Sequence, residues 1–267
     1  MTRLTLPRPG LGTSGNDDPE QCATTVETAL DVGYRHVDTA QMYDNEAAVG
    51  RGLERSPIPR DDVVVASKVH PENLAPDDVL TTAKESLDRL GLDAIDLMYV
   101  HWPAVAYDPE RTLPAFDELV DRGAVRHVGV SNFSPALLDE AMERLDAPIA
   151  AHQVEMHPLF PQAELVAHAE EHGYALVAYA PLGQTEVLDV PEIRTVAERR
   201  DATPAQVCLA WLMSHDPVVP IPKSTGEAHL RENVEARSIE LTDEDLATID
   251  GIAEERRLVD PPWGPWN

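Results

Sequence analysis

Along most of the chain a short apolar run alternates with a longer amphipathic stretch. The apolar runs, rich in Val, Ile and Ala, lie at 35–38, 63–67, 95–101, 125–131, 151–155, 175–179, 218–222 and 234–239. Such compact runs predict strands buried on both faces. Apolar positions with helical spacing fill 20–32, 46–55, 77–90, 112–122, 135–145, 162–172, 190–200 and 204–214. Ser134-Pro135 and Thr203-Pro204 read as an N-cap followed by the first helical residue. Gly33, Gly91, Gly123 and Gly173 fall where helices should stop. Eight strands separated by helices predict an α/β fold with a wholly parallel sheet, closed into a (β/α)8 TIM barrel. An open doubly wound sheet would need G-x-G-x-x-G after the run at 35–38, and none follows. Pro7, Pro9 and Gly10 suggest a short N-terminal hairpin plugging one end of the barrel. The 267 residues fit one barrel domain spanning 1–267, since no Pro- or Gly-rich linker interrupts them.

Composition narrows the class. No run approaches the ~18 apolar residues of a membrane span. The start, MTRLTLPRPG, has no apolar core of a secretory signal. Cys22 and Cys208 are the only cysteines, which excludes a disulfide framework and the C-x-x-C spacing of structural zinc sites. A cytoplasmic location is expected. The formal net charge is −27, from 48 acidic and 21 basic residues. Such a surface repels nucleic acid and anionic membranes, so neither is an expected partner. Only three of the basic residues are lysine: Lys68, Lys84 and Lys223. An acidic, lysine-poor surface resembles that of haloarchaeal cytoplasmic proteins, where molar salt screens self-repulsion to within ~3 Å.

In a barrel the chemistry sits where strands run into the following loops. Those ends carry Asp38 with Tyr43 five residues on, Lys68, His101-Trp102, Ser131-Asn132, Gln153–Glu155, Tyr179 and Lys223-Ser224. Two of the three lysines therefore stand at strand ends. Asp, Tyr, Lys and His on one face form a proton-donating set. A free phenol, with a pKa of ~10, is a poor acid at neutral pH. A neighbouring ammonium should lower that value, and a buried carboxylate should keep the lysine charged. A metal hydrolase would instead show H-x-H on the first strand. Here His36 stands alone and deeper, and no metal site is expected.

The segments GYRHVDTAQMYDNE, VASKV, DLMYVHWP, VGVSNF, HQVEMHP, AYAPLG and IPKS…REN are similar to those of the aldo-keto reductase superfamily, in order and spacing across residues 4 to 255. Within it the chain resembles the compact prokaryotic type, of the 2,5-diketogluconate reductase branch. The resemblance implies a barrel that binds NADPH (NADP) without a Rossmann fold and reduces small aldehydes, ketones or dicarbonyls to alcohols. By that resemblance Asp38, Tyr43, Lys68 and His101 are the catalytic tetrad, with Tyr43 as general acid. Ser131, Asn132 and Gln153 would hold the nicotinamide carboxamide and Tyr179 would stack on its ring. Pro181, Leu182 and Gly183 would form the turn beside the pyrophosphate. Lys223, Ser224 and Thr225 would grip the adenosine phosphate, and Glu232 and Asn233 would lie near the adenine. Trp102 would wall the substrate pocket.

Departures from the family pattern carry their own expectations. His229 stands where an arginine would bind the 2′-phosphate of NADP, so NADH is expected to be accepted as well. Ser14 replaces a common pocket aromatic, Asp44 the glycine of YGNE, and Ala180 the serine of AYSPLG. The tail LVDPPWGPWN, with Trp263 and Trp266, is expected to fold over the pocket. The alternative from another class is a non-catalytic cofactor-binding regulatory or structural protein on the same barrel. Its intact proton-donor set argues against that. No obligate protein partner is indicated.

Overall fold

The computed structural model describes residues 4–266. Eight strands pair in chain order, every pair parallel. They are β1 (Leu11–Gly12), β2 (His36–Asp38), β3 (Val64–Val69), β4 (Ile95–Val100), β5 (Val125–Ser131), β6 (Ile149–Glu155), β7 (Ala175–Tyr179) and β8 (Val218–Pro220). The amides of Gly10 and Gly12 donate to Pro220 and Pro222 at 2.9 and 3.2 Å, so the sheet curls back to join its first strand to its last. This is the (β/α)8 fold.

Helices cover the outer wall: α1 (Pro19–Asp31), α2 (Glu46–Arg55), α3 (Pro76–Leu90), α4 (Pro109–Asp121), α5 (Pro135–Arg144), α6 (Ala163–His172), α7 (Pro191–Arg200), α8 (Pro204–Ser214), α9 (Glu227–Glu235) and α10 (Asp243–Asp250). The starts follow from local chemistry. The Ser134 hydroxyl accepts from the Leu137 amide, and Thr203 and Gln206 form a capping box. Gly91 and Gly173 end α3 and α6 in the left-handed conformation that suits glycine.

The period of two along each strand builds the interior in layers. Ala66, Leu97, Tyr99, Ala151, Val177 and Val219 pack together inside the barrel. Two residues further along their strands stand Lys68, His101, Gln153 and Tyr179. The same face that fills the barrel therefore delivers the polar side chains to its upper end. Gly129 serves this packing, because a Cβ there would meet the Tyr99 ring at 2.6 Å.

Two expectations are corrected. The segment 234–239 is not a strand: it spans the end of α9 and a short 3-10 turn at Ala236–Ser238. Leu230 and Val234, four apart, are buried on one face of that helix, and this spacing outweighs the apparent alternation. The eighth strand is instead supplied by Leu11–Gly12, too short to show a period. No hairpin forms among residues 4–10. Leu6 does enter the interior cluster, with Leu4 against it, so the segment contributes to the plug without pairing as strands.

Candidate active site

A cavity of about 500 Å³ opens at the end of the barrel where the strands terminate. Asp38, Tyr43, His101, Trp102, Ser131, Asn132, Gln153 and Tyr179 line it, with Pro181, Leu182 and Lys223 further along. Asp38 is the last residue of β2, and Tyr43 closes a one-turn 3-10 helix after it. Asp44 then takes φ 54, a left-handed conformation that Asp tolerates better than most side chains. That conformation accounts for the glycine usual at this position.

Lys68 is buried, and its ammonium is the hub. It donates to the Asp38 carboxylate, to the Thr39 carbonyl at 2.8 Å and to the Tyr43 hydroxyl at 3.3 Å. The second Asp38 oxygen accepts from the Gln153 amide at 2.7 Å. Burial pushes the ammonium down, but Asp38 and Tyr43 more than offset it, so the Lys68 pKa lies above its ordinary value. The phenol behaves otherwise than expected. Withdrawal from water raises the Tyr43 pKa, and Lys68 offsets this only in part. His101 meets the Tyr43 ring edge-on at 5.7 Å. Burial first, then the Lys68 charge, holds the His101 pKa well below its ordinary value, so it is neutral.

Asn132, at φ 64, ties this end together. Its amide nitrogen donates to the His101 carbonyl (3.1 Å) and the Ser131 hydroxyl (3.0 Å). Its oxygen accepts from the Tyr179 hydroxyl at 2.9 Å, which fixes that ring as a flat wall of the cavity. These residues fit a nicotinamide dinucleotide: an aromatic face, three polar side chains beside it, and a cation at the far end. Lys223 makes no ion pair among the described residues despite the excess of carboxylates. Ser224, Thr225 and His229 continue from it into the first turn of α9, where His229 is exposed. Gly183 lies in the turn after β7. Glu232 and Asn233, like Ser224, Thr225 and His229, lie beyond the residues that line the cavity. The Glu232 carboxylate accepts from the Thr203 hydroxyl, and Asn233 is buried within α9.

Several lining residues escaped sequence reasoning. Thr13 was missed because β1 was not legible as a strand, and Met42 because nothing local marks the residue before Tyr43; Ser14, where a pocket aromatic is common, does line the cavity. Glu155, the last residue of β6, stands outside that lining and has a different part. Its buried carboxylate faces His157 Nε2 at 3.0 Å and accepts from the backbone amides of Leu258 (2.7 Å) and Val259 (2.9 Å). His157 therefore faces a carboxylate on the same segment. From this anchor the tail runs back over the cavity. Trp263 and Trp266 pack on Trp102 with ring centroids 4.9 and 5.5 Å away.

Residues 9–254 match the Aldo/keto reductase family, and the chain belongs to it. It is an NAD(P)H-dependent oxidoreductase. The chain is 37% identical over 261 residues to the methylglyoxal reductase DkgB of Escherichia coli O157:H7, covering 97% of both. The crystal structure of a putative 2,5-diketo-D-gluconic acid reductase B superposes with a TM-score of 0.93 at 35% identity, covering 97% of this chain and 92% of that one. An aldo-keto reductase of Bombyx mori in complex with NADP gives 0.89 at 29% identity, covering 96% and 92%. No helix among the described residues is long and apolar enough to cross a membrane.

Proposed function

We propose that this protein, acting as one barrel domain, reduces a small aldehyde, ketone or dicarbonyl to the alcohol, with Tyr43 as proton donor. The observation that carries the reading is the buried line from Asp38 through Lys68 to the Tyr43 hydroxyl, which surfaces beside His101 in the cavity. The bound nicotinamide supplies the hydride. His101 and the Tyr43 hydroxyl hold the carbonyl oxygen. Tyr43 passes its proton to that oxygen as negative charge develops there, and Lys68 stabilises the phenolate left behind. Asp38 keeps Lys68 charged throughout. Trp102 and the two tail tryptophans exclude water from one side.

Ser131, Asn132, Gln153 and Tyr179 are assigned to the nicotinamide end, and Pro181, Leu182 and Gly183 to the pyrophosphate. Lys223, Ser224, Thr225 and His229 are assigned to the adenosine phosphate. NADPH is the proposed cofactor, with NADH accepted because an imidazole replaces the planar fork of a guanidinium. The names of the relatives support a small dicarbonyl as substrate, and the composition supports a cytoplasm of high salt. The test is the fall in NADPH absorbance with methylglyoxal in molar KCl. Tight NADPH binding without turnover on a panel of small carbonyls would establish the non-catalytic alternative instead.

A further inference from the structure

We infer that His168, His172 and Asp139 form a binding site for a divalent late-transition-metal ion, Zn²⁺ in particular, on the outer wall of the barrel. His168 and His172 are one helical turn apart on α6, a spacing that puts both rings on one face. The rings stack with centroids 4.2 Å apart and 25° between planes. Asp139 reaches across from α5, its Oδ1 lying 3.2 Å from His168 Nε2. One ligand atom from each of the three residues lies within 4.8 Å of the others.

These distances suit a metal. Tetrahedral zinc with bonds of ~2.0–2.2 Å has ligand-to-ligand edges of roughly 3.3–3.6 Å. The His168–Asp139 separation is already close to one such edge, and the His172 ligand atom lies within 4.8 Å of both.

His168 also has the supporting partner that metal-bound histidines usually have. Its Nδ1 lies 2.8 Å from the Tyr174 hydroxyl. A hydroxyl suits either tautomer. It donates to Nδ1 while Nε2 carries its proton towards Asp139, and it accepts from Nδ1–H once Nε2 becomes a ligand. His168 is thus aimed from inside the protein while His172 and Asp139 stay open to solvent. His172 makes no hydrogen bond among the described residues, so a metal would displace only the contact between His168 and Asp139.

Two imidazoles and one carboxylate select Zn²⁺, Cu²⁺ or Ni²⁺ over the hard cations Mg²⁺ and Ca²⁺, which favour oxygen donors. Tyr174 precedes β7 and Tyr179 ends it, so the site and the catalytic cavity lie at opposite ends of one strand. The ion would clip α5 to α6 and act on stability, not on the carbonyl chemistry.

The test uses chelator-stripped protein in molar KCl, with millimolar Mg²⁺ present to occupy the acidic surface. ZnCl₂ is titrated calorimetrically and thermal unfolding is followed. The expected result is one Zn²⁺ per chain and a rise in Tm. His172→Gln and Asp139→Asn should each weaken binding at least ten-fold and remove the rise in Tm. Bound Cu²⁺ should show nitrogen coupling in its paramagnetic resonance spectrum that His172→Gln reduces. Absence of a one-site isotherm in the wild type, or equal binding by the two variants, overturns the inference.

Discussion

The Glu155 carboxylate and the Leu258 backbone amide meet at 2.7 Å, 103 residues apart in the chain. The other oxygen takes the Val259 amide, and His157 completes the set. Burial pushes the Glu155 carboxyl up, but these hydrogen bonds outweigh it and hold its pKa below the usual carboxylate value. The carboxylate is thus the fixed point from which the tail crosses Trp102. In Glu155→Gln the NH₂ group would face a backbone N–H, losing a charged hydrogen bond worth ~1.5–3 kcal/mol. The expected outcome is faster proteolysis after residue 255 and a several-fold change in KM for bulky carbonyls, with cofactor affinity unchanged. KM values unchanged from wild type in both Glu155→Gln and a chain lacking 260–267 would show that the tail does not shape the pocket.

Tyr43→Phe keeps the ring but removes the proton. It should lower carbonyl reduction by ~10²–10⁴ while leaving NADPH binding intact. Lys68→Met should lose most activity and move the remaining pH profile to the alkaline side, because the phenol loses its adjacent cation. Near-normal turnover by the Phe variant would remove Tyr43 from the mechanism.

Cofactor choice turns on His229. Arg231, the nearest guanidinium in sequence, is held by Glu227 at 2.7 Å on its own helix and does not take over. His229→Arg adds a fork that suits a phosphate. The ratio of kcat/KM for NADPH over NADH should rise about ten-fold, ~1.4 kcal/mol. An unchanged ratio would mean that residue 229 does not meet the 2′-phosphate.

With a net charge of −27, folding brings like charges together, and salt screens them. Tm should climb steadily as KCl rises from low to molar concentration. A Tm independent of KCl would contradict adaptation to high salt.

Acid should destabilise the fold earlier than carboxylate titration alone would. Burial lowers the His36 pKa to about 4 and that of His152 to about 3, and His101 shifts the same way. In the unfolded chain these histidines protonate near pH ~6.5. The unfolded state therefore binds more protons below that pH, so stability is full above it and declines as pH falls towards 4. Each histidine contributes a slope of up to ~1.4 kcal/mol per pH unit in that window. The His152 ring accepts from the Phe133 amide at 3.2 Å, and glutamine can replace that acceptor. Denaturant unfolding at pH 7, 6 and 5 should give a shallower slope for His152→Gln than for wild type.

The alternation of apolar runs and helices determined the parallel (β/α)8 architecture, because strands buried on both faces leave little polar pattern to misread. It also determined which residues stand at the strand ends, since a period of two carries Lys68, His101, Gln153 and Tyr179 one step beyond the packed layer. Local rules set the helix starts at Pro135 and Pro204. Other features existed only in three dimensions. Leu11–Gly12 is a strand solely because Val37, Asp38 and the chain after β8 offer it partners on both sides. Val234 is helical because its burial is shared with Leu230 and not with a neighbouring strand. The pKa of Tyr43 depended on how fully the barrel excludes water, which no spacing encodes, and desolvation there outweighed the charge beside it. Glu155 and the tail meet across 103 residues, and the two sides of the His168 site, drawn from different helices, meet across 29. Contacts between distant segments are set by how helices and loops pack around the closed sheet, whereas a sequence displays only periodicity and local chemistry.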